Sequence, residues 1–110
     1  MTATELGWLA GIFEGEGSLY FNVNKRSTGH WRAVIAMSDE DVIRRFHQLV
    51  GVGSVVSRCA RVEGYKAQWT WQISAQEDVL NFCGLLAPHM GERRLAKMSV
   101  CINDLVQHGS

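Results

Sequence analysis

Leu6-Gly7-Trp8-Leu9-Ala10-Gly11-Ile12-Phe13-Glu14-Gly15-Glu16-Gly17 reads as a buried helix that stops abruptly on two acids, and the rest of the chain is organised around it. Leu6, Leu9, Ala10 and Phe13 fall at the spacing of one helical face, an apolar stripe suited to covering a core. Trp8, Ile12 and Gly15 make a second apolar stripe, and Gly7, Ala10, Gly11 and Glu14 line a third face almost without side chains. A helix with no polar face up to Phe13 expects burial on more than one side. Upstream, Thr2 and Glu5 fit a capping box that satisfies orphan N–H groups of the first turn.

Each glycine inside a helix costs about 1 kcal/mol relative to alanine, so Gly7 and Gly11 call for a compensating gain. Close approach of a second backbone supplies one. The chain has only one such helix, so the expected partner is the same helix of a second copy, in a homodimer whose interface includes Gly7, Trp8, Ala10, Gly11 and Glu14. The two-fold axis would then bring two acidic ends together. Gly15 and Gly17 flank Glu16, which predicts a tight turn exposing its carboxylate and a backbone carbonyl.

Beyond Gly17 the apolar period changes from helix to strand. Leu19, Phe21 and Val23 alternate with Tyr20, Asn22 and Asn24; after a turn over Lys25 to Gly29, Ala33, Ile35 and Met37 alternate with His30, Arg32 and Val34. A second pair follows: Val55 and Cys59 alternate with Ser54 and Arg58, and Trp69, Trp71 and Ile73 with Gln68, Thr70 and Gln72. The two tryptophans on one face of a strand belong to a core. The opposite face is made of groups able to hydrogen-bond bases and phosphates.

Amphipathic helices separate these pairs. Ser38 to Asp41 and Ser74 to Glu77 fit capping boxes, the first leading into Val42, Ile43, Phe46, Leu49 and Val50 with Gly51 as the stop, the second into Val79, Leu80, Cys83 and Leu86 with Pro88 beyond. Each has a Phe eight residues after its Ser, as two related hairpin-helix units would. The order is αββαββα, an α+β fold, and Glu92 to His108 supplies the last helix through Leu95, Met98, Ile102 and Leu105.

The 110 residues fit one domain, 1–110, able to bury a core without disulfides. Cys59, Cys83 and Cys101 lack a CxxC pattern and leave one unpaired, favouring reduced buried thiols; the four histidines lack metal spacing. No secretory or membrane-spanning segment is visible, so a cytoplasmic location (prokaryotic or phage-encoded) or an organellar one is expected, not secretion. The net charge is zero, but residues 18–38 carry +3 and residues 53–73 carry +2, leaving −5 elsewhere. If these segments form one sheet, a neutral protein presents a basic face. Tyr20, Asn22, Asn24, Arg26, Arg32, Arg58, Lys66, Gln68, Thr70 and Gln72 on that face suit DNA: Arg and Lys on phosphate or guanine, Asn and Gln on adenine. Arg44 and Arg45 read most simply as the exposed side of the second helix.

Leu9 to Gly17 resembles the nine-residue signature of the LAGLIDADG homing endonucleases, read as Leu, Ala, Gly, two apolar residues, acid, small, acid, Gly. The resemblance implies the αββαββα fold with a curved, four-stranded antiparallel sheet lying along double-stranded DNA, and signature helices that form the interface of a single-motif homodimer. It implies that the eighth-position acid, Glu16, binds a divalent cation, Mg²⁺ or Mn²⁺, beside Gly15; the sixth-position acid, Glu14, is not usually a ligand in the family. The archetype has Asp at both positions, so Glu is a longer variant. Arg93, beyond Pro88, takes the place of the family's basic residue near the site, although an arginine cannot readily serve as a general base. Ser38 and Asp39 stand where the family carries a polar residue organising catalytic water; helix capping accounts for them equally well.

The expectation is a metal-dependent endonuclease, as in intron or intein mobility, that hydrolyses both strands of a long, near-palindromic duplex. Two other classes stay open. A non-cleaving binder on the same scaffold, a regulator or maturase, would lose metal dependence; a protein-interaction domain would show binding insensitive to salt.

Overall fold

The computed structural model describes residues 1–23, 29–58 and 67–108. Helix α1 (Ala3–Glu16) starts as expected: the Thr2 hydroxyl accepts from the Glu5 N–H at 3.1 Å and the Glu5 carboxylate accepts from the Thr2 N–H at 2.8 Å. Those bonds, the one from the Thr2 backbone foremost, hold the Glu5 carboxyl below its ordinary range. At its other end α1 passes with no loop into strand β1 (Gly17–Asn22). The predicted tight turn is absent. Gly17 has an ordinary extended conformation, φ −86°, and is required for space instead: a Cβ there would lie 2.4 Å from Cδ1 of Phe13.

Strand β2 (His30–Met37), helix α2 (Glu40–Val50), strands β3 (Ser54–Arg58) and β4 (Gln68–Ile73), helix α3 (Gln76–Leu86), a 3-10 turn (Ala87–His89) and helix α4 (Glu92–His108) complete the order. The four strands form one antiparallel sheet in the order β1-β2-β4-β3. Gly17 pairs with Ile35, Ile35 with Trp71 and Trp71 with Val55, a row that faces the helices. The core lies between that face and α1, α2, α3 and α4, around Trp71, Phe46 and Phe82: the Phe46 and Trp71 rings are 4.8 Å apart, and the Phe46 and Phe82 rings 6.2 Å. The two phenylalanines of the repeated pattern thus meet at the centre of the protein. Ala10 also belongs to this core.

Two of the three expected capping boxes do not form. Helix α2 starts at Glu40 with Asp39 as its cap, and α3 at Gln76 with Ala75 as its cap, neither with a side-chain cap hydrogen bond. The first residue of α3 is drawn elsewhere: the Gln76 amide accepts from the Trp31 N–H and donates to the Trp31 carbonyl, both at 2.9 Å. Gly51 ends α2 in the left-handed conformation, φ 85°, as the pattern predicts. Cys83 and Cys101 are free and buried where α3 meets α4, and the hydrogen bond between them raises the Cys101 thiol; Cys59 lies outside the described residues. Among the described residues no helix is long and apolar enough to cross a membrane.

Candidate functional site

The junction of α1 with β1 distinguishes its two acids. Glu14 is held: Arg94, in the first turn of α4, donates from Nε to the Glu14 carbonyl at 3.0 Å and sits 3.6 Å from the Glu14 carboxylate. The carboxylate also lies against Gly91, just ahead of α4, where the positive end of the helix dipole favours it. Arg94 satisfies an orphan carbonyl at the negative end of α1 and lies over the Phe13 ring, 5.5 Å from its centroid. Glu16 is exposed and has no hydrogen bond or ion pair among the described residues. It is the last residue before the sheet. Its carboxylate is a hard oxygen donor of the type Mg²⁺ and Mn²⁺ accept, and the neighbouring Gly15 carbonyl belongs to the last turn, whose carbonyls lack intrahelical donors.

Asp39 reaches the same end of the sheet: Gly17 pairs with Ile35, four positions before Asp39 on the chain that leads into α2. It is exposed. Arg93 is exposed and makes no ion pair among the described residues, while its neighbour Arg94 is the side chain that docks on α1. No group of three or more His, Cys, Asp or Glu able to hold a metal occurs among the described residues.

The exposed side of α1 carries Thr4, Gly7, Gly11, Glu14 and Gly15, with half-buried Trp8 and Ile12 along one edge. A Cβ at Gly7, Gly11 or Gly15 would meet nothing within 4 Å. Of the two faces to which the sequence assigns Ala10, the structure places it on the core stripe with Leu9 and Phe13. It is 5% exposed and points into the core, about 100° around the helix from Gly11, so the small-residue stripe runs through Gly7, Gly11 and Gly15. Arg45 covers the Trp8 ring at 4.5 Å and Arg44 covers Trp69 at 5.2 Å while pairing with Glu40, so both arginines sheathe aromatic side chains rather than merely facing solvent.

On the sheet face turned away from the helices, the pairing aligns residues in rows: Asn22 with His30, Tyr20 with Arg32, Ser18 with Val34, Gln72 and Ser54, and Ala36 with Thr70 and Val56. Tyr20, Asn22, Arg32, Gln68, Thr70 and Gln72 all stand on it, as their alternation predicted. Arg58 pairs in register with Gln68. Asn24, Arg26 and Lys66 lie outside the described residues. Arg32 is half-buried, and its Nε is buried without a hydrogen-bond partner. The middle rows are small and uncharged, with Ala36 exposed and Val56 48% exposed. Gln72 is the exception, and the other long polar residues flank these rows. The selection of polar residues by type passed over Val34, Ala36 and Val56, although their parity in the strands places them on this face.

An antiparallel sheet with one face packed under helices, the other bare, and a helix running straight into its first strand defines an α+β fold of the homing-endonuclease type. The family model of the LAGLIDADG-like domain matches residues 3–86, and the chain belongs to that family. Among solved structures, the homing endonuclease I-CvuI in complex with the I-CreI target aligns with TM-score 0.76 at 14% identity, over 94% of this chain and 66% of that one. The archaeal intron-encoded I-Vdi141I complexed with DNA aligns with TM-score 0.73 at 16% identity, over 96% and 70%. The group I intron-encoded I-CeuI, also complexed with DNA, aligns with TM-score 0.72 at 16% identity, over 97% and 59%. The chain thus spans about two-thirds of I-CvuI. At these identities the likeness establishes the fold. No curated protein matches the sequence.

Proposed function

We propose that this protein is a site-specific DNA endonuclease that dimerises through α1 and hydrolyses both strands of a long, near-palindromic duplex with Mg²⁺ or Mn²⁺. The observation that carries the reading is the contrast at the end of α1: Glu14 is engaged by Arg94, whereas Glu16, next to the sheet, is exposed and unengaged among the described residues. One copy offers a single such carboxylate. A second copy, packed on the glycine stripe, would bring another, and DNA phosphates and water would complete the shell. The solved structures of I-CvuI with DNA in 2 mM Mg and in 2 mM Ca concern a protein of the same fold and are consistent with divalent-cation use. A bound cation would polarise the scissile phosphate and acidify a water.

The chain's own residues would divide the remaining work. Glu16, with the Gly15 carbonyl, would hold the cation. Asp39, at the same end of the sheet, would orient a water. Arg93 would stabilise charge on the phosphate. Tyr20, Asn22, Arg32, Gln68, Thr70 and Gln72 would contact the duplex, and Asn24, Arg26, Arg58 and Lys66 are proposed as further contacts. The zero net charge is compatible with this because the basic residues are concentrated in the two hairpins.

The test is cleavage of a randomised duplex library with Mg²⁺ by the wild type and by Glu16→Gln. Cuts that require both Glu16 and the metal support the nuclease. Selective retention of DNA without cuts by either protein replaces it with a non-cleaving binder, and neither cuts nor retention replaces it with a protein-interaction domain.

A further inference from the structure

Two carboxylates stand two residues apart at the end of α1, and a helix places such residues on nearly opposite sides. What keeps them apart is the last turn itself. Helix ends fray, because their final carbonyls lack intrahelical donors. In this protein a side chain from another helix reinforces that turn: Arg94 donates to the Glu14 carbonyl at 3.0 Å, lies 3.6 Å from its carboxylate and covers the Phe13 ring. The Arg94 side chain is 17% exposed and that of Glu14 43%, so the arginine is mostly packed away while the carboxylate still meets water. The planar guanidinium has donors for a carbonyl and a carboxylate at once. Gly91 allows close approach on the same side, since a Cβ there would lie 2.8 Å from Oε1 of Glu14.

We propose that Arg94 is a positioning residue that decides which of the two acids serves the metal: by occupying Glu14 and the carbonyl beside it, it leaves Glu16 as the carboxylate available to a divalent cation. This rests on the nuclease reading of Glu16 and deepens it. The selection works through occupancy and geometry together. The pairing draws the Glu14 carboxylate toward Arg94, and the capped carbonyl holds the last turn wound. Without Arg94, Glu14 becomes a competing ligand, and the cation is no longer confined to the position next to β1.

The experiment is a double-mutant cycle read by Mn²⁺ binding, with free Mn²⁺ followed by electron paramagnetic resonance in the presence of the randomised duplex. Arg94→Met keeps an apolar stem over Phe13 while removing the charge and the donors; Arg94→Lys restores the charge without the fork. With Arg94 present, Glu14→Gln is expected to leave Mn²⁺ affinity within about twofold, and Glu16→Gln to weaken it by at least ~10-fold, the lower end of what loss of a ligand-orienting group costs. In Arg94→Met, Glu14→Gln is expected to weaken Mn²⁺ binding by ~10-fold as well, with Arg94→Lys intermediate. A purely structural role for Arg94 predicts equal effects of Glu14→Gln in both backgrounds, and that result overturns the assignment. Strong dependence on Glu14 with Arg94 in place overturns it also. Mn²⁺ binding indifferent to Glu16→Gln in the wild-type background overturns the nuclease reading, and the selection by Arg94 with it.

Discussion

Alanine at Gly7 and Gly11 separates two descriptions of α1 that differ in sign. Within one chain nothing lies within 4 Å of a Cβ at either position, so the double substitution causes no internal clash. Helix propensity then favours alanine by about 1 kcal/mol at each site, or about 2 kcal/mol for the pair in an isolated chain. For a domain of roughly this size that gain corresponds to a rise of about 10 °C in Tm. If the glycine stripe is instead the surface on which a second copy packs, the two methyl groups meet the facing backbone and push the helices apart, which a close-packed contact resists. The measurement is thermal unfolding across a wide range of protein concentrations, with sedimentation of the same samples. Wild type is expected to sediment as a dimer with a Tm that rises with concentration, because association stabilises by mass action. Gly7→Ala with Gly11→Ala is expected to sediment as a monomer whose Tm is independent of concentration, yet higher than that of wild type at the greatest dilution. A variant that stays dimeric and is simply more stable, or a wild type that is monomeric throughout, refutes packing through this stripe.

Three further outcomes follow from named contacts. Arg32→Gln should reduce the slope of log affinity against log salt by about 0.9 if the guanidinium contacts phosphate, whereas Gln72→Ala should leave the slope unchanged and relax base preference by about 1–3 kcal/mol, both read from salt titrations of binding to selected duplexes. Phe46→Ala, in a side chain with 0% exposure packed on Trp71 and Phe82, should lower stability by about 3–5 kcal/mol in denaturant titration. The Glu5 carboxyl, held below its ordinary value of 4.5 by Thr2, contributes stability that is present above that value and is lost as pH falls through the lowered one. Thr2→Ala should therefore flatten the acid side of the Tm profile.

What the sequence made legible was local. The signature at Leu9 to Gly17 and the alternation of Trp69, Trp71 and Ile73 each determine an element and its buried face without reference to anything distant. Thr2 and Glu5 form their box because both partners lie in the same turn. The boxes at Ser38 and Ser74 fail for reasons the spacing does not contain: α2 starts only at Glu40 after β2 has run to Met37, and the first residue of α3 is bound to a backbone 45 positions away. Ala10 was assigned to both the core stripe and the small-residue face because a face made of small residues has no polar partner to mark its boundary. The docking of Arg94, rather than Arg93, on α1 was likewise beyond the spacing. Adjacent residues at the start of a helix point about 100° apart, and only the docking of α4 on α1 chooses between them.

The direct passage of α1 into β1 makes the protein a ruler. No linker separates Glu16 from the first residue of the sheet, and Gly17 is pressed against Phe13 so tightly that even a methyl group would not fit. With Glu16 as the metal ligand, the spacing between the bases contacted and the bond cut is set by covalent geometry rather than by loop length. On that proposed reading, new targets would be reached by exchanging side chains on the open sheet face, while the distance from recognition to cut would stay the same.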